Sequence, residues 1–208
     1  MTAIIDYGVG NLFSLKSSFA AIGEEVIVTS DPKVIENADG IILPGVGAFE
    51  DAAAKLRESG LVDVIREQAA KGKPLMGICL GMQLLFDKSY EYGEHEGLGL
   101  IKGNVRPISD VIAPGLKIPH IGWNALHFTK ESPLFRYISD GDCVYFVHSY
   151  YAAECDGSVI ATTEYSAELT AAVADGNIFG CQFHPEKSGK VGLNILKAFA
   201  RMREGDIC

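Results

Sequence analysis

The sequence PLMGICLGMQ, residues 74–83, runs from an apolar segment directly into a cysteine placed between two glycines. The apolar run Pro74–Ile78 predicts a buried strand, and the residues from Leu80 to about Phe86 predict a helix. Gly77-Ile78-Cys79-Leu80-Gly81 has the spacing of a nucleophile elbow, a sharp strand-to-helix turn that needs glycines because larger neighbours would clash. The first N–H groups of the helix would face the sulfur and lower the pKa of the thiol. Cys79 is therefore a candidate nucleophile, although a buried structural cysteine fits the pentapeptide equally well.

Strands and helices alternate on the amino-terminal side of this turn. Apolar periodicity predicts strands at Ala3–Asp6, Val26–Thr29 and Gly40–Leu43, and helices at Leu12–Ile22, Pro32–Asn37, Ala48–Ser59 and Leu61–Ala70. This alternation favours an α/β fold, with a mostly parallel sheet flanked by helices on both faces.

The second half of the sequence is richer in strands. These are predicted at Gly103–Ile108, Ile118–His127, Val144–Tyr151, Val159–Glu164 and Thr170–Asp175, before a closing helix at Val191–Arg201. Asp175-Gly176-Asn177 predicts a tight turn that joins Ala171–Val173 to Ile178–Phe183 in a hairpin. We expect a single α/β domain over residues 1–208, with additional antiparallel strands in its C-terminal half.

Composition limits the classes of function. Hydrophobic residues make up 48% and charged residues 22%, and the net charge of −9 disfavours a nucleic-acid partner. No apolar run is long enough for a transmembrane helix, and the first residues lack a basic segment, so a cytoplasmic protein is expected. The cysteines are odd in number and widely spaced, which predicts neither a disulfide framework nor a metal site; they are Cys79, Cys143, Cys155, Cys181 and Cys208. No cofactor is expected.

A candidate base follows the predicted strand that ends near Gln182. In extended backbone, residues two apart point to the same side, so Glu186 can lie beside the ring of His184 and orient it. A cysteine, a histidine and a carboxylate form the nucleophile, base and orienting group of covalent catalysis. The alternative is a lone exposed histidine in a loop. His95, His120 and His127 have no comparable sequence context.

A candidate oxyanion hole follows the strand Gly40–Leu43. The segment Pro44-Gly45-Val46-Gly47 is expected at the carboxyl edge of the parallel sheet, where Cys79 also lies. The N–H of Leu80 and one N–H from Val46 or Gly47 would then stabilise a developing oxyanion. A plain strand-ending turn would explain the same glycines.

Three motifs together resemble the class I glutamine amidotransferases. They are Pro44-Gly45-Val46-Gly47, Gly77-Ile78-Cys79-Leu80-Gly81-Met82-Gln83 and His184-Pro185-Glu186. Within that family, the chain resembles the glutaminase subunits of imidazole glycerol phosphate synthases. The segments that carry this closer likeness are Asp6–Asn11, Pro119–Asn124, Val144–Tyr150 and His184–Ser188.

The resemblance implies a reaction and a partner. Cys79 would attack the carboxamide carbon of glutamine, His184 would protonate the departing ammonia, and Glu186 would orient His184. Water would hydrolyse the thioester, and the ammonia would pass through a channel to a (β/α)₈-barrel cyclase subunit held in a heterodimer. We expect low glutaminase activity without the loaded cyclase.

The resemblance also implies binding positions. Those for glutamine are Gly47, Gln83, Glu91 and the backbone of His148, Ser149 and Tyr150; those facing the cyclase are Asn11, Trp123, Tyr145 and Lys187. Gln83 lies one helical turn beyond Cys79, which also fits a solvated helix position. Three alternatives remain at this point: a glutaminase subunit of another synthase, such as anthranilate synthase; a cysteine peptidase; and an inactive scaffold.

Overall fold

A sheet of eight strands forms the centre of the protein. The computed structural model describes residues 1–202, so Cys208 lies outside the described residues. The strands are β1 (Thr2–Ile5), β2 (Val26–Thr29), β3 (Gly40–Leu43), β4 (Leu75–Ile78), β5 (Lys88–Ser89), β6 (His95–Glu96), β7 (Asn104–Pro107), β8 (His120–Ala125), β9 (His127–Phe128), β10 (Cys143–His148), β11 (Tyr150–Ala153), β12 (Val159–Glu164), β13 (Glu168–Asp175) and β14 (Ile178–Cys181). The α-helices are α1 (Leu12–Ala21), α2 (Pro32–Asn37), α3 (Phe49–Glu58), α4 (Leu61–Ala70), α5 (Leu80–Gln83) and α6 (Gly189–Ala200).

The strand order of the central sheet is β2-β1-β3-β4-β14-β13-β12-β9. The first five strands are parallel, and the last three continue the sheet antiparallel. This arrangement confirms the predicted α/β class, with its parallel centre and its C-terminal antiparallel strands. β14 is the last strand along residues 1–202, yet it lies in the middle of the sheet, between β4 and β13. The predicted hairpin is β13 with β14.

Apolar side chains cover both faces of the parallel strands. Ile41 and Leu43 of β3 face one layer of buried residues, and Ile42 faces the other, as the two-residue period of a strand requires. The first layer includes Phe49 and Leu56 of α3 and Ile65 of α4. The second includes Leu15 and Phe19 of α1 and Leu196 and Phe199 of α6. The two layers hold the sheet rigid and leave its carboxyl edge free for loops.

Most predicted elements match the observed bounds to within two residues at each end, but the prediction of one strand at Val144–Tyr151 was wrong. The backbone changes direction at Ser149. β10 pairs with β8 in a separate two-stranded sheet, whereas β11 pairs with β7 in a four-stranded sheet that also contains β5 and β6. The carbonyl of Ser149 accepts a hydrogen bond from the N–H of Ile108 instead of continuing either ladder.

The helix predicted to reach Phe86 was also too long, because α5 ends at Gln83. The carbonyl groups of Leu84, Leu85 and Phe86 accept hydrogen bonds from the segment Leu98–Ile101. These carbonyls are therefore not available to extend the helix. Over residues 1–202, no helix has the length and apolar character that crossing a membrane would require.

Candidate active site

The segments that follow neighbouring parallel strands meet in one cleft. β3 leads into the Pro44–Gly47 loop, β4 into Cys79 and β14 into His184, and the carboxyl ends of parallel strands share one edge. The cleft has a volume of about 320 Å³, within the usual range for small-molecule sites. Its lining residues are Val46, Gly47, Cys79, Leu80, Gln83, Glu91, Pro119, Val147, His148, Ser149, Tyr150, His184 and Lys187. It thus gathers all the predicted oxyanion-hole and glutamine-binding residues around Cys79 and His184.

Cys79 stands in a turn where the backbone packs too closely for ordinary side chains. Its φ of +54° and ψ of −112° are unusual for a residue other than glycine. A Cβ atom at Gly81 would lie 1.9 Å from the carbonyl oxygen of Leu43, and one at Gly77 would lie 2.5 Å from the carbonyl oxygen of Gly81. The N–H of Cys79 donates to the carbonyl of Cys181 at 2.7 Å, which fixes the turn against β14. The sharp strand-to-helix turn expected from the glycine spacing is present.

The other described cysteines lack this environment. Burial raises the pKa of Cys155 to about 11. Burial also raises the pKa of Cys181, which is completely enclosed, and the nearby charge of Glu186 adds to the effect. Both thiols therefore stay protonated and unreactive at neutral pH. Cys143 is exposed, at the start of β10 and outside the cleft. Among these thiols only Cys79 lines the cleft.

His184 and Glu186 form a buried pair behind the thiol. Nδ1 of His184 donates a hydrogen bond of 2.8 Å to Oε1 of Glu186, and the two side chains are 3% and 2% exposed. Burial by itself lowers the pKa of His184, but hydrogen bonds to Cys79 and Glu186, with their charges, outweigh it and raise the pKa to about 9. The ring is therefore suited to hold a proton between a thiolate and a carboxylate.

The second oxygen of Glu186 has an unusual environment. Within the described part of the chain, Oε2 is the only buried side-chain nitrogen or oxygen with no hydrogen-bond partner. An unsatisfied buried acceptor costs stability, so such atoms are rare away from functional sites. Glu186 thus directs its hydrogen bonding toward His184 through one oxygen.

The backbone of His184 is attached to β10. Its N–H donates to the carbonyl of Tyr145 at 3.0 Å. The hydroxyl of Ser188 donates to the carbonyl of His184 at 2.6 Å and accepts from the N–H of Tyr145 at 2.9 Å. The imidazole therefore keeps its position relative to the β8–β10 sheet.

The loop after β3 borders the cleft opposite His184. Gly47 has a φ of +94°, and the hydroxyl of Tyr7 donates to the carbonyl of Pro44 at 2.7 Å. Burial, followed by the nearby Cys79, raises the pKa of Tyr7, so the phenol keeps its proton and remains a donor. Leu80 is the first residue of α5, so its N–H has no partner within the helix. The loop and Leu80 both line the cleft beside Cys79.

The model of the glutamine amidotransferase class-I family matches residues 3–202. The chain belongs to the class I glutamine amidotransferase family. Many solved structures share the fold, and three of them illustrate how low the sequence identity is. A glutamine amidotransferase has a TM-score of 0.73 at 20% identity, over 95% of this chain and 98% of that one. PurLQS from Thermotoga maritima has a TM-score of 0.73 at 21% identity, and the match covers 95% of this chain and 96% of that one. The glutaminase domain of Trypanosoma brucei CTPS with bound acivicin has a TM-score of 0.66 at 17% identity, and the match covers 97% of this chain and 94% of that one.

Curated relatives within the family are far more similar in sequence. The imidazole glycerol phosphate synthase subunit HisH of Geobacillus sp. is 50% identical over 99% of this chain and 98% of that protein. The subunit of the same name from Aquifex aeolicus is 51% identical over 98% of this chain and 97% of that protein. The one from Sulfurimonas denitrificans is 52% identical over 98% of this chain and 99% of that protein. The likeness therefore extends across both chains.

In this class I glutamine amidotransferase, the acidic and amide side chains of the cleft already have protein partners. Oε2 of Glu91 accepts a hydrogen bond of 2.6 Å from the N–H of Phe49, at the start of α3. Burial raises the pKa of Glu91. Nε2 of Gln83 donates to the carbonyl of Tyr150 at 3.2 Å and to Oε1 of Gln182 at 3.0 Å. A solvated Gln83 is thus excluded, because its side chain is buried.

The bend at Ser149 brings a backbone segment into the cleft. His148, Ser149 and Tyr150 line it between β10 and β11. The side chain of His148 packs beside the ring of His120, and its Nε2 lies 3.1 Å from Nδ1 of that ring. Its own Nδ1 donates a hydrogen bond of 2.9 Å to the carbonyl of Tyr150. Burial lowers the pKa of His148 to about 4, so the ring is neutral at physiological pH.

The four residues expected to face a partner lie in different environments. Trp123 and Tyr145 are directly opposite each other on β8 and β10, with ring centroids 6.1 Å apart, and Trp123 is 56% exposed. Lys187 is exposed and lines the cleft. Asn11 has a local role, because its side chain accepts a hydrogen bond of 3.3 Å from Ser14 at the start of α1. The structure therefore pairs Trp123 with Tyr145.

Three residues of the site were given no role on the basis of the sequence. Tyr7 holds the loop after β3, Gln182 contacts the sulfur of Cys79, and His120 supports His148. Gln182 could have been found, because it lies two residues before His184 in extended backbone and shares its side. Tyr7 and His120 depend on contacts between distant segments, for which the sequence carries no local signal.

Proposed function

We propose that this chain is the glutaminase subunit of an imidazole glycerol phosphate synthase and supplies ammonia for a step of histidine biosynthesis. Full-length identity of about one half to proteins named as that subunit supports the assignment. The observation that carries the chemistry is the arrangement of Cys79, His184 and Glu186 at one cleft. Residues 1–208 would act as one domain, as the family match over residues 3–202 suggests.

The proposed reaction begins at the sulfur. The thiolate of Cys79 attacks the carboxamide carbon of glutamine, and a tetrahedral intermediate forms. The N–H of Leu80 and one N–H from Val46 or Gly47 stabilise its oxyanion. The protonated ring of His184 transfers a proton to the leaving nitrogen, and ammonia departs. His184 then takes a proton from water, which attacks the thioester and releases glutamate. Glu186 holds the ring in the required orientation through Nδ1.

Charged and polar groups of the cleft would hold the two ends of glutamine. Glu91 has one oxygen bonded to Phe49, which leaves the other for the α-ammonium group. The N–H groups of Gln83 are used within the protein, so its oxygen would accept a hydrogen bond from the substrate. Gly47 and the backbone of His148, Ser149 and Tyr150 complete the proposed site around the amino-acid end.

The proposed partner is a (β/α)₈-barrel cyclase subunit in a heterodimer. Exposed Trp123 and its neighbour Tyr145 provide an aromatic pair of the kind enriched at interface hot spots. Asn11 and Lys187 would belong to the same docking face, with Lys187 next to the cleft where ammonia leaves. A reducing compartment keeps thiols such as Cys79 reduced, which favours a cytoplasmic location.

The alternative is a glutaminase subunit of another class I enzyme, such as anthranilate synthase. The solved structures with a similar fold include PurLQS and the glutaminase domain of CTPS, so the fold alone does not separate these functions. The relatives of about 50% identity favour the imidazole glycerol phosphate synthase.

The test is reconstitution with a candidate cyclase subunit. We expect the two proteins to co-purify and to form imidazole glycerol phosphate from glutamine, with glutaminase activity rising when the cyclase binds its ribonucleotide. Cys79→Ala should abolish the use of glutamine and leave cyclase activity with ammonium salts intact. Cys143→Ala, at an exposed thiol outside the cleft, is the matched control and should retain both. Failure of the wild-type pair to use glutamine would refute the proposal.

A further inference from the structure

We propose that Gln182 is a further catalytic residue, which donates a hydrogen bond to the sulfur of Cys79, and that Gln83 holds the Gln182 amide in the orientation needed. The proposal rests on the proposed role of Cys79 as nucleophile. It concerns the thiolate before any substrate has bound.

Gln182 directly follows the last residue of β14, and its side chain is completely enclosed. Its backbone N–H donates to the carbonyl of Ala171 at 2.8 Å, which fixes the start of the side chain. Its Nε2 lies 3.8 Å from Sγ of Cys79, and its Oε1 lies 3.0 Å from Nε2 of Gln83. Buried polar groups need hydrogen-bond partners. The Gln182 amide finds one in the amide of Gln83 and the other in the sulfur of Cys79.

The orientation of both amides follows from a single backbone carbonyl. The carbonyl oxygen of Tyr150 can only accept, so the group of Gln83 that lies 3.2 Å from it must be the NH₂. The same NH₂ faces Gln182, which must therefore present its oxygen there. The NH₂ of Gln182 is left directed at Cys79. Gln83 thus donates to both Tyr150 and Gln182, and Gln182 donates to Cys79.

The thiolate gains more from this contact than the thiol does. A hydrogen bond to a charged acceptor is stronger than one to a neutral acceptor, and low polarity around the site increases the difference. The separation of 3.8 Å is long, so the contact can shorten as negative charge forms on sulfur. His184 approaches the same sulfur as a second donor. Gln182 therefore adds a second hydrogen bond that favours ionisation of Cys79, beside the one from His184.

The experiment measures the rate at which iodoacetamide alkylates Cys79 as a function of pH, with each peptide followed by mass spectrometry. Exposed Cys143 in the same molecule reports the reactivity of an ordinary thiol. In Gln182→Met, a side chain of similar length without a donor, the midpoint of the Cys79 profile should rise by about one pH unit. Alkylation of Cys79 near pH 7 should fall about tenfold, while that of Cys143 stays unchanged.

Two further variants keep the test decisive. Gln182→Glu replaces the donor with a second negative charge and should raise the midpoint more than Gln182→Met. Gln83→Met leaves Gln182 in place but frees its amide to rotate, so a smaller rise is expected. If Gln182→Met fails to fold, judged by circular dichroism, the Gln83→Met profile decides.

The possible outcomes separate the two proposals. An unchanged Cys79 profile in a folded Gln182→Met variant, with wild-type Cys79 more reactive than Cys143, would overturn the role of Gln182 alone. Wild-type Cys79 that reacts no faster than Cys143 at pH 7 would overturn the proposed nucleophile as well. A rise in the Cys79 midpoint in the order Gln83→Met, Gln182→Met, Gln182→Glu supports the inference.

Discussion

The hydroxyl of Tyr7 donates a hydrogen bond of 2.7 Å to the carbonyl oxygen of Pro44, and the bond is buried. Tyr7 follows β1, whereas Pro44 opens the loop that borders Cys79. The next residues reinforce this link, because a Cβ atom at Gly10 would lie 2.8 Å from Cβ of Pro44. The segment that leads to Asn11 therefore packs directly on the proposed oxyanion loop, and a displacement of either one must affect the other.

Removal of this hydroxyl should affect glutamine hydrolysis. Tyr7→Phe keeps the ring but leaves the buried carbonyl of Pro44 without that donor, which should lower the free energy of unfolding by about 1–3 kcal/mol. We expect kcat for glutamine in the synthase complex to fall about tenfold, since a loosened loop aligns its N–H groups less often. Urea unfolding and steady-state kinetics are the measurements. Tyr92→Phe, at a tyrosine that is 89% exposed, is the control and should change neither.

Loss of the Glu186 charge should reduce turnover more strongly. In Glu186→Gln the side-chain oxygen can still accept from Nδ1 of His184, but the charge that raises the pKa of His184 is absent. The amide NH₂ would also occupy the position of Oε2, which has no partner. We expect kcat to fall about 100-fold, in the range typical of general acid–base catalysis. A kcat within a factor of three of the wild type would contradict the assigned role.

The stability of the free chain should fall at alkaline pH because of His184. Burial opposes the charged ring, but Cys79 and Glu186 raise its folded-state pKa to about 9, above the unfolded value of 6.5. The stabilisation is therefore complete below pH 6.5 and is lost as pH rises through 9. At 1.36 kcal/mol per pH unit, it amounts to roughly 3 kcal/mol at most.

The measurement is urea unfolding of the wild type and of His184→Gln between pH 6 and 9.5. We expect the difference in their free energies of unfolding to shrink steadily across this range. A difference that is constant with pH would show that His184 does not titrate in the folded state as inferred.

Glu91→Gln should separate binding from turnover. The side-chain oxygen introduced at position 91 can replace Oε2 of Glu91 as acceptor for the N–H of Phe49. The start of α3 should therefore keep its hydrogen-bond partner. The charge that would attract the α-ammonium group is lost, and we expect KM for glutamine to rise at least tenfold with kcat nearly unchanged. Glu94→Gln, an exposed position in the same loop, is the matched control. A normal KM in Glu91→Gln would rule out its role in binding.

The sequence predicted the parts of the site that depend on local geometry. The turn at Cys79 follows from the space that Gly77 and Gly81 leave, and the contact of His184 with Glu186 follows from extended backbone. The bend at Ser149 was not predictable in this way. Apolar alternation continues through Val144–Tyr151, and only the change of pairing partner from β8 to β7 separates β10 from β11.

The end of α5 was missed for a related reason. Leu84–Phe86 has a composition suited to a helix, but its carbonyls are bonded by Leu98–Ile101. The short strands β5 and β6 were also missed, since two residues each give no usable period. Gln182 and Gln83 each contribute an amide that only the folded sheet brings together. Contacts of this kind, between residues about one hundred positions apart, have no counterpart in the local pattern.

The position of β14 in the middle of the sheet has a consequence for synthesis on the ribosome. A nascent chain that has emerged only as far as β13 lacks the strand that joins β4 to the antiparallel half, and it also lacks His184. The turn at Cys79 is bonded to Cys181 of that strand, so it cannot be completed earlier. Translation must therefore deliver the chain as far as His184 before the proposed catalytic site can form, and nascent chains that end before β14 would lack that site.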